Sequence, residues 1–278
     1  MKKENGKANK IKRVMAIHDI ACYGKSSLTV VLPAMSALGA EVVPLPTALL
    51  SSHTGIKNAT FLPLDKEMHA ILNHWESEKV DFDCIYSGFL GSADQIDTVL
   101  SVFEKYPSAF KAVDPVMGDN GVKYKTYTDE MCEKMVRLVT KAHIITPNYT
   151  EACMLLNMPY EEFPDLSKVE TAARKLCELG PRTAVITGIR EGDNIINVAY
   201  DRKEGVFTES CKYVKRRYDG TGDLFSSVFF GLMLENGDVK ASLSRASEFI
   251  RDVVKYTAEN SENDIILFEP LLWKIKEQ

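Results

Sequence analysis

Apolar residues recur along this chain with two periods, and the two periods alternate. Val14-Met15-Ala16-Ile17 is a short apolar run ended by His18-Asp19, which reads as a buried strand. After a loop carrying Gly24, the residues Leu28, Val31, Leu32, Met35 and Leu38 fall on one helical face, with Ser26 as N-cap and Gly39 as the stop. Glu41 to Leu45 returns as a strand, and Pro44 and Pro46 place its end near an edge or a turn. Helical spacing predicts further helices over 65–77, 94–106, 128–140, the segment after Asn148, and 167–179, which Gly180-Pro181 stops. Short apolar runs at 82–86, 110–113, 143–145 and 184–186 predict strands between them. Residues 195–200 and 205–208 alternate as an antiparallel pair around Asp201-Arg202-Lys203-Glu204. Helices close the chain: one opening near Leu224, one from about Val239 to Thr257, and one near 271–276.

This alternation predicts one α/β domain over residues 13–278, with a largely parallel central sheet. Polar clusters follow Ile17, Leu50, Tyr86, Val113, Ile145 and Ile186, so they should line one edge of that sheet, where α/β folds bind ligands. Composition adds little to the architecture but narrows the partners. Apolar residues make up 45% and charged residues 26%, the balance of a globular protein. A net charge of -5 gives no general attraction for nucleic acid or an anionic membrane, so neither is expected as a partner and any anion site must be built locally. The six cysteines are scattered, with no CxxC pair, and read as mostly buried thiols of a reducing cytoplasm. The lysine-rich stretch 1–12 is expected to be a disordered leader.

The densest candidate chemistry lies at Arg217-Tyr218-Asp219-Gly220-Thr221-Gly222-Asp223. Leu224, Phe225, Val228, Phe229, Leu232 and Met233 anchor a helix after it, whose first turn presents free N–H groups. Such a terminus attracts phosphate, and Asp223 sets a carboxylate beside it, which suits a base next to a developing negative charge. A glycine-rich loop with an acid favouring a helix start accounts for the same residues equally well. Ser51-Ser52-His53-Thr54-Gly55 follows a strand end with four hydrogen-bonding side chains. Asp114 and Asp119 flank a turn after another strand; they could serve Mg²⁺ directly or through water, although turn-favouring aspartates are common. Thr146-Pro147-Asn148 leads into a helix carrying Glu151, and Thr187-Gly188 ends a further strand.

Taken together, these segments resemble the pyridoxal kinases of the ribokinase-like superfamily over nearly everything from Arg13 onward. Asp219-Gly220-Thr221-Gly222-Asp223-Leu224-Phe225 is similar to the superfamily's anion-hole and base signature. Asp114 to Asp119 and Thr146 to Ala152 resemble its metal and nucleotide segments, while Ser52 to Gly55 and Tyr86 to Ser92 resemble the pyridoxal kinase branch. The resemblance implies a three-layer α/β/α sandwich with a small antiparallel edge, acting as an ATP-dependent kinase on the 5′-hydroxymethyl group of pyridoxal, pyridoxine or pyridoxamine. It further implies that Asp223 takes the hydroxyl proton while the N–H groups of Gly220, Thr221 and Gly222 hold the phosphoryl charge. Asp114, Asp119 and Glu151 would organise Mg²⁺, largely through water. Thr146, Asn148, Thr187 and Gly188 would contact the nucleotide phosphates, or K⁺ or another monovalent cation, with Asp114, Glu151, Lys212 and Val214 also beside ATP. Asp19, His53, Thr54 and Tyr86 would hold the vitamer, and a homodimer is expected. The chain departs from the pattern at Asp19, where many pyridoxal kinases have serine; an aspartate there could ion-pair with a protonated ring nitrogen or an amine. Two rivals remain. A hydroxymethylpyrimidine kinase commonly carries Gly-Thr-Gly-Cys where this chain has Gly222-Asp223, and a non-catalytic vitamer-binding protein would have little use for the acids.

Overall fold

The computed structural model describes residues 11–214 and 216–276, so the greater part of the expected leader, residues 1–10, lies outside the described residues. The chain winds through β1 (Arg13–Ala21), α1 (Leu28–Ala37), β2 (Glu41–Leu50), β3 (Phe61–Pro63), α2 (Asp65–Ser77), β4 (Cys84–Ser87) and α3 (Ala93–Lys105). It continues through β5 (Phe110–Val113), β6 (Gly118–Asp119), β7 (Val122–Lys123), α4 (Asp129–Thr140), β8 (Ile144–Ile145), α5 (Tyr149–Leu155) and α6 (Leu166–Leu179). Then come β9 (Thr183–Glu191), β10 (Asn194–Asp201), β11 (Gly205–Lys212), α7 (Thr221–Asn236), α8 (Val239–Asn260) and a 3₁₀ helix at Glu269–Lys276.

Nine strands form one sheet in the order β11-β10-β9-β8-β5-β4-β1-β2-β3. From β9 to β2 all pairs are parallel, while β3 and the β10–β11 pair add antiparallel edges. Consecutive residues of β1 serve opposite cores: Met15 and Ile17 pack with α2 to α6, Val14 and Ala16 with α1, α7 and α8. A strand apolar on both faces is what a sheet covered on both sides requires. The result is the expected three-layer sandwich. The chain leaves β1 towards β2 on one side and later towards β4 on the other, opening a crevice at the carboxyl ends of β1 and β4.

Helix α7 is aimed at that crevice by its packing. Phe229 and Phe230 are fully buried, and the Phe230 ring lies 4.8 Å from that of Tyr86 on β4. Left-handed glycines bound the helix, Gly220 (φ 84°) before its first residue and Gly237 (φ 67°) after its last.

The structure corrects several boundaries. β1 does not stop at Ile17: it bulges between His18 and Ile20, and Ile20 and Ala21 then pair with Leu49 and Leu50. His18 and Asp19 are therefore strand residues, and the bulge re-aims them. β2 runs through Pro44 and Pro46 because β3 covers its outer edge only from Ala48 onward; the missing N–H groups leave no ladder bond unmade. The N-cap of α1 is Ser27, one residue after the expected Ser26. β3 and the β6–β7 hairpin, two or three residues per strand, are too short to show a period.

Replacing Phe230 with Ala should remove the contact that seats α7 on β4. We expect a loss of about 3–5 kcal/mol in unfolding free energy, read from the midpoint of equilibrium urea denaturation; a loss below about 1 kcal/mol would mean that the helix is held elsewhere.

Candidate active site

A cavity of about 550 Å³ opens at the carboxyl ends of the parallel strands. Asp114, Asp119, Thr146, Asn148, Glu151, Thr187, Gly188, Lys212, Val214 and the run Gly220-Thr221-Gly222-Asp223 all line it. These residues come from five separate segments, and the fold brings them to one rim. The first residue of α7 to close a helical turn is Leu224, whose N–H donates to the Gly220 carbonyl at 3.0 Å. The preceding N–H groups lie ahead of any i→i−4 carbonyl and are free for an anion. Gly220 can be nothing else: a Cβ there would sit 1.9 Å from the Lys25 carbonyl oxygen, in a backbone conformation that side chains rarely adopt. Gly222 has open space around the same position. Arg190, Lys212, Arg216, Arg217 and Arg251 also line the cavity, which supplies locally the positive charge that the acidic chain lacks overall.

The floor is acidic and connected. The Thr146 and Ser226 hydroxyls are 2.8 Å apart, and Ser226 Oγ donates to Asp114 Oδ2 at 2.9 Å. Glu151 Oε1 accepts from the Met117 N–H (3.1 Å), and Oε2 accepts from the Asn148 N–H (2.8 Å) in a capping box for α5. Asn148 in turn donates to the Gly118 carbonyl at 2.8 Å. Glu151 thereby holds the 114–121 turn in place. Asp119 pairs with Arg217 across the mouth. Burial, with the neighbouring Asp223, pushes Asp114 up to about 8, and burial with Asp114 close by raises Glu151 well above the carboxylate range. Asp223 is half-buried, and desolvation raises its carboxyl despite the Ser27 N–H that donates to Oδ2 at 3.0 Å.

The four residues expected to hold the vitamer do not line this cavity. Asp19 is buried beside it: its Oδ1 accepts from Ser27 Oγ at 2.5 Å, so one residue bridges Asp19 and Asp223. Burial raises Asp19 to about 7, with the Asp223 charge adding to the effect. His53 packs against Gly24, where a Cβ would lie 2.0 Å from the ring's Cδ2. Its Nδ1 accepts from the Gly55 N–H at 3.2 Å, which leaves Nε2 to carry the proton towards Asp219 Oδ2 at 3.6 Å. Thr54 is exposed on the same loop. Tyr86 departs from expectation: it is wholly buried among His18 (ring centroids 4.4 Å) and Phe230, because β4 turns that side chain into the core beneath α7. Burial, with Asp114 and Asp223 behind it, raises its phenol well above the usual value.

Asp114, Asp119 and Glu151 offer an all-oxygen donor set suited to Mg²⁺, but no three acidic, histidine or cysteine side chains among the described residues close into a ligand cage. Sequence reasoning missed Ser27, Ser226 and Arg190. Ser226 lies three residues after Asp223 and was legible only as a helix residue; Ser27 gave way to its neighbour Ser26 as the expected cap.

A three-layer sandwich whose sheet ends in an acid beside a glycine-started helix is the arrangement of the ribokinase-like kinases. Within it, the model of the phosphomethylpyrimidine kinase family matches residues 32–265, and the chain belongs to that family. A Bacteroides thetaiotaomicron protein provisionally assigned as phosphomethylpyrimidine kinase is 36% identical, with a TM-score of 0.93 over 98% of this chain and 96% of that one. The same Bacteroides protein has also been crystallised with pyridoxal. Pyridoxal kinase from Lactobacillus plantarum is 28% identical, with a TM-score of 0.88 over 95% and 96%. Pyridoxal kinase PdxY of Corynebacterium diphtheriae is 24% identical over 268 residues, covering 92% of this chain and 93% of its own.

Two outcomes test this geometry. Gly220→Ala should abolish turnover and lower stability by about 2–4 kcal/mol, since the clash is with backbone; thermal melting and turnover together check it. Asp19 has a folded pKa above its unfolded value, so its contribution to stability is present below about pH 4 and is lost as pH rises through about 7. Asp19→Asn should therefore melt higher than the parent near pH 8, by about 1–3 kcal/mol, and match it near pH 4. Melting curves across that range would contradict the burial argument if the gap did not change.

Proposed function

We propose that this protein transfers the γ-phosphoryl group of ATP to the 5′-hydroxymethyl group of pyridoxal, pyridoxine or pyridoxamine. One observation carries the reading: Asp223 stands between the basic cavity and the wall formed by Asp19, Ser27 and His53, with the free N–H groups of α7 beside it. A carboxylate in that position can accept the proton of a hydroxyl while backbone N–H groups stabilise charge on the incoming phosphoryl. Asp223 need not be a strong base, because in a loose transition state the proton leaves late. The nucleotide lies in the cavity, its phosphates towards Gly220, Thr221 and Gly222, with Thr146, Asn148, Thr187 and Gly188 along them and Lys212 and Val214 at the side. Bound Mg²⁺ would neutralise phosphate charge, and Asp114, Asp119 and Glu151 would hold it through water. K⁺ or another monovalent cation would sit among Thr146, Asn148, Thr187 and Gly188. The vitamer takes the other wall, on Asp19, His53 and Thr54, with Tyr86 supporting that wall from the core. The pyridoxal-bound crystal form of the Bacteroides relative supports this acceptor.

A homodimer and a cytoplasmic setting belong to the same reading, and six free cysteines support the second. No helix among the described residues is long and apolar enough to cross a membrane. The match to the phosphomethylpyrimidine kinase family keeps one second reading in view, a pyrimidine acceptor such as hydroxymethylpyrimidine.

The test is ATP consumption with each of the three vitamers and with hydroxymethylpyrimidine, for the parent and for Asp223→Asn. Turnover of at least one vitamer, reduced by about 10²–10⁴ in the variant, is the expected outcome. Turnover of the pyrimidine alone would reassign the acceptor, and an Asp223→Asn protein of full activity would remove the base.

A further inference from the structure

Helix α1 begins in an unusual way. Its N-cap, Ser27, stands at φ 51°, ψ −132°, a region that L residues other than glycine occupy only under strain. A serine at an N-cap ordinarily turns its hydroxyl to the N–H groups of the next turn, yet Ser27 makes no side-chain cap bond. The hydroxyl instead reaches back to Asp19 Oδ1 at 2.5 Å, while the backbone N–H of the same residue donates to Asp223 Oδ2 at 3.0 Å. Both carboxylates are thus oriented by a single residue. If the N–H alone were needed, glycine would supply it with less strain.

The segment around Ser27 is pinned on every side. Ser27 forms a bridge with Ile20, directly after Asp19. The Lys25 carbonyl presses on Gly220 at the start of α7, and Lys25 itself pairs with Glu269. Gly24 lies under the His53 ring. Ser27 is 6% exposed, so it is a buried link in the wall and does not need to touch the acceptor itself.

We infer that Ser27 is a positioning residue that sets Asp19 and Asp223 as a matched pair for two groups of one acceptor. This rests on the B6-kinase reading. In a pyridine vitamer the ring nitrogen and the carbon bearing the 5′-hydroxymethyl group are separated by one ring carbon. Asp223 meets the hydroxyl and Asp19 meets the ring nitrogen in its N–H form. The Ser27 hydroxyl occupies Asp19 Oδ1 and turns Oδ2 towards the ring; without it the carboxylate can rotate and the pair loses its spacing. Ser27 therefore acts on acceptor recognition and orientation and leaves the nucleotide side untouched.

Ser27→Gly and Ser27→Ala separate these effects. Ser27→Gly keeps the N–H to Asp223 and relieves the backbone, so it should melt no lower than the parent. Its kcat/KM for the preferred vitamer should nevertheless fall about tenfold to a hundredfold, the scale of one charge-assisted hydrogen bond. The KM for ATP should stay unchanged in both variants. In an Asp19→Ala background, which removes the acceptor, Ser27→Ala should have less than its effect in the parent, since the two act through one bond. Equal losses in both backgrounds, or vitamer kinetics of Ser27→Gly equal to the parent's, would overturn the inference while leaving the B6-kinase reading intact. A parent protein that phosphorylates none of the three vitamers would overturn both.

Discussion

Repulsion among carboxylates held out of water is the constraint around which the active end of this protein is arranged. Asp19, Asp114, Glu151 and Asp223 gather at one rim of the sheet, and burial raises the pKa of each. They also act on one another: Asp223 on Asp19 and Asp114, and Asp114 on Glu151. Such a group weakens the native state near neutral pH, and the scaffold holds it with directed donors. Ser226 serves Asp114, the Met117 and Asn148 N–H groups serve Glu151, and Ser27 serves both Asp19 and Asp223. Two extensive apolar cores, one on each face of the sheet, offset the cost. The same desolvation that costs stability makes the site responsive to cations and to hydroxyl protons.

The opposing charge is organised just as locally. Backbone N–H groups at the start of α7 and basic side chains from β9, β11 and the stretch before α7 face the acids across the cavity. Glycines let the two sides approach. Gly220 lies against the Lys25 carbonyl, and Gly24 lies under His53, whose Nε2 faces Asp219. The start of α7 and the loop carrying His53 therefore both pack against the 24–27 segment.

Much of this was legible from residues alone. The period-2 and period-3.6 patterns located nearly all the longer strands and helices, and Gly220 to Asp223 stood out because glycine, a small polar residue and an acid precede an apolar helix. The residues that line the cavity were also legible, since each follows a strand end and parallel register carries strand ends to the same rim. The residues beside the cavity were harder. Tyr86 looked like a ligand-facing residue at a strand end, yet strand alternation turns it into the core, and one residue of register decides between those fates. Ser26 and Ser27 are indistinguishable as N-cap candidates in sequence; the choice followed from where Asp19 and Asp223 came to lie.

By itself, then, the sequence determined the class of fold, the glycine-started helix with its free N–H groups and the set of acids available, because these depend on local periodicity, backbone freedom and residue chemistry. Tertiary structure alone decided which acids share a field, which of them are turned by hydrogen bonds, and that Ser27 joins two residues 204 positions apart, Asp19 and Asp223. Those outcomes depend on a bulge in β1, on prolines tolerated along an open edge, and on a helix seated by Phe230. Each is a long-range packing result, and no local pattern in the chain encodes it.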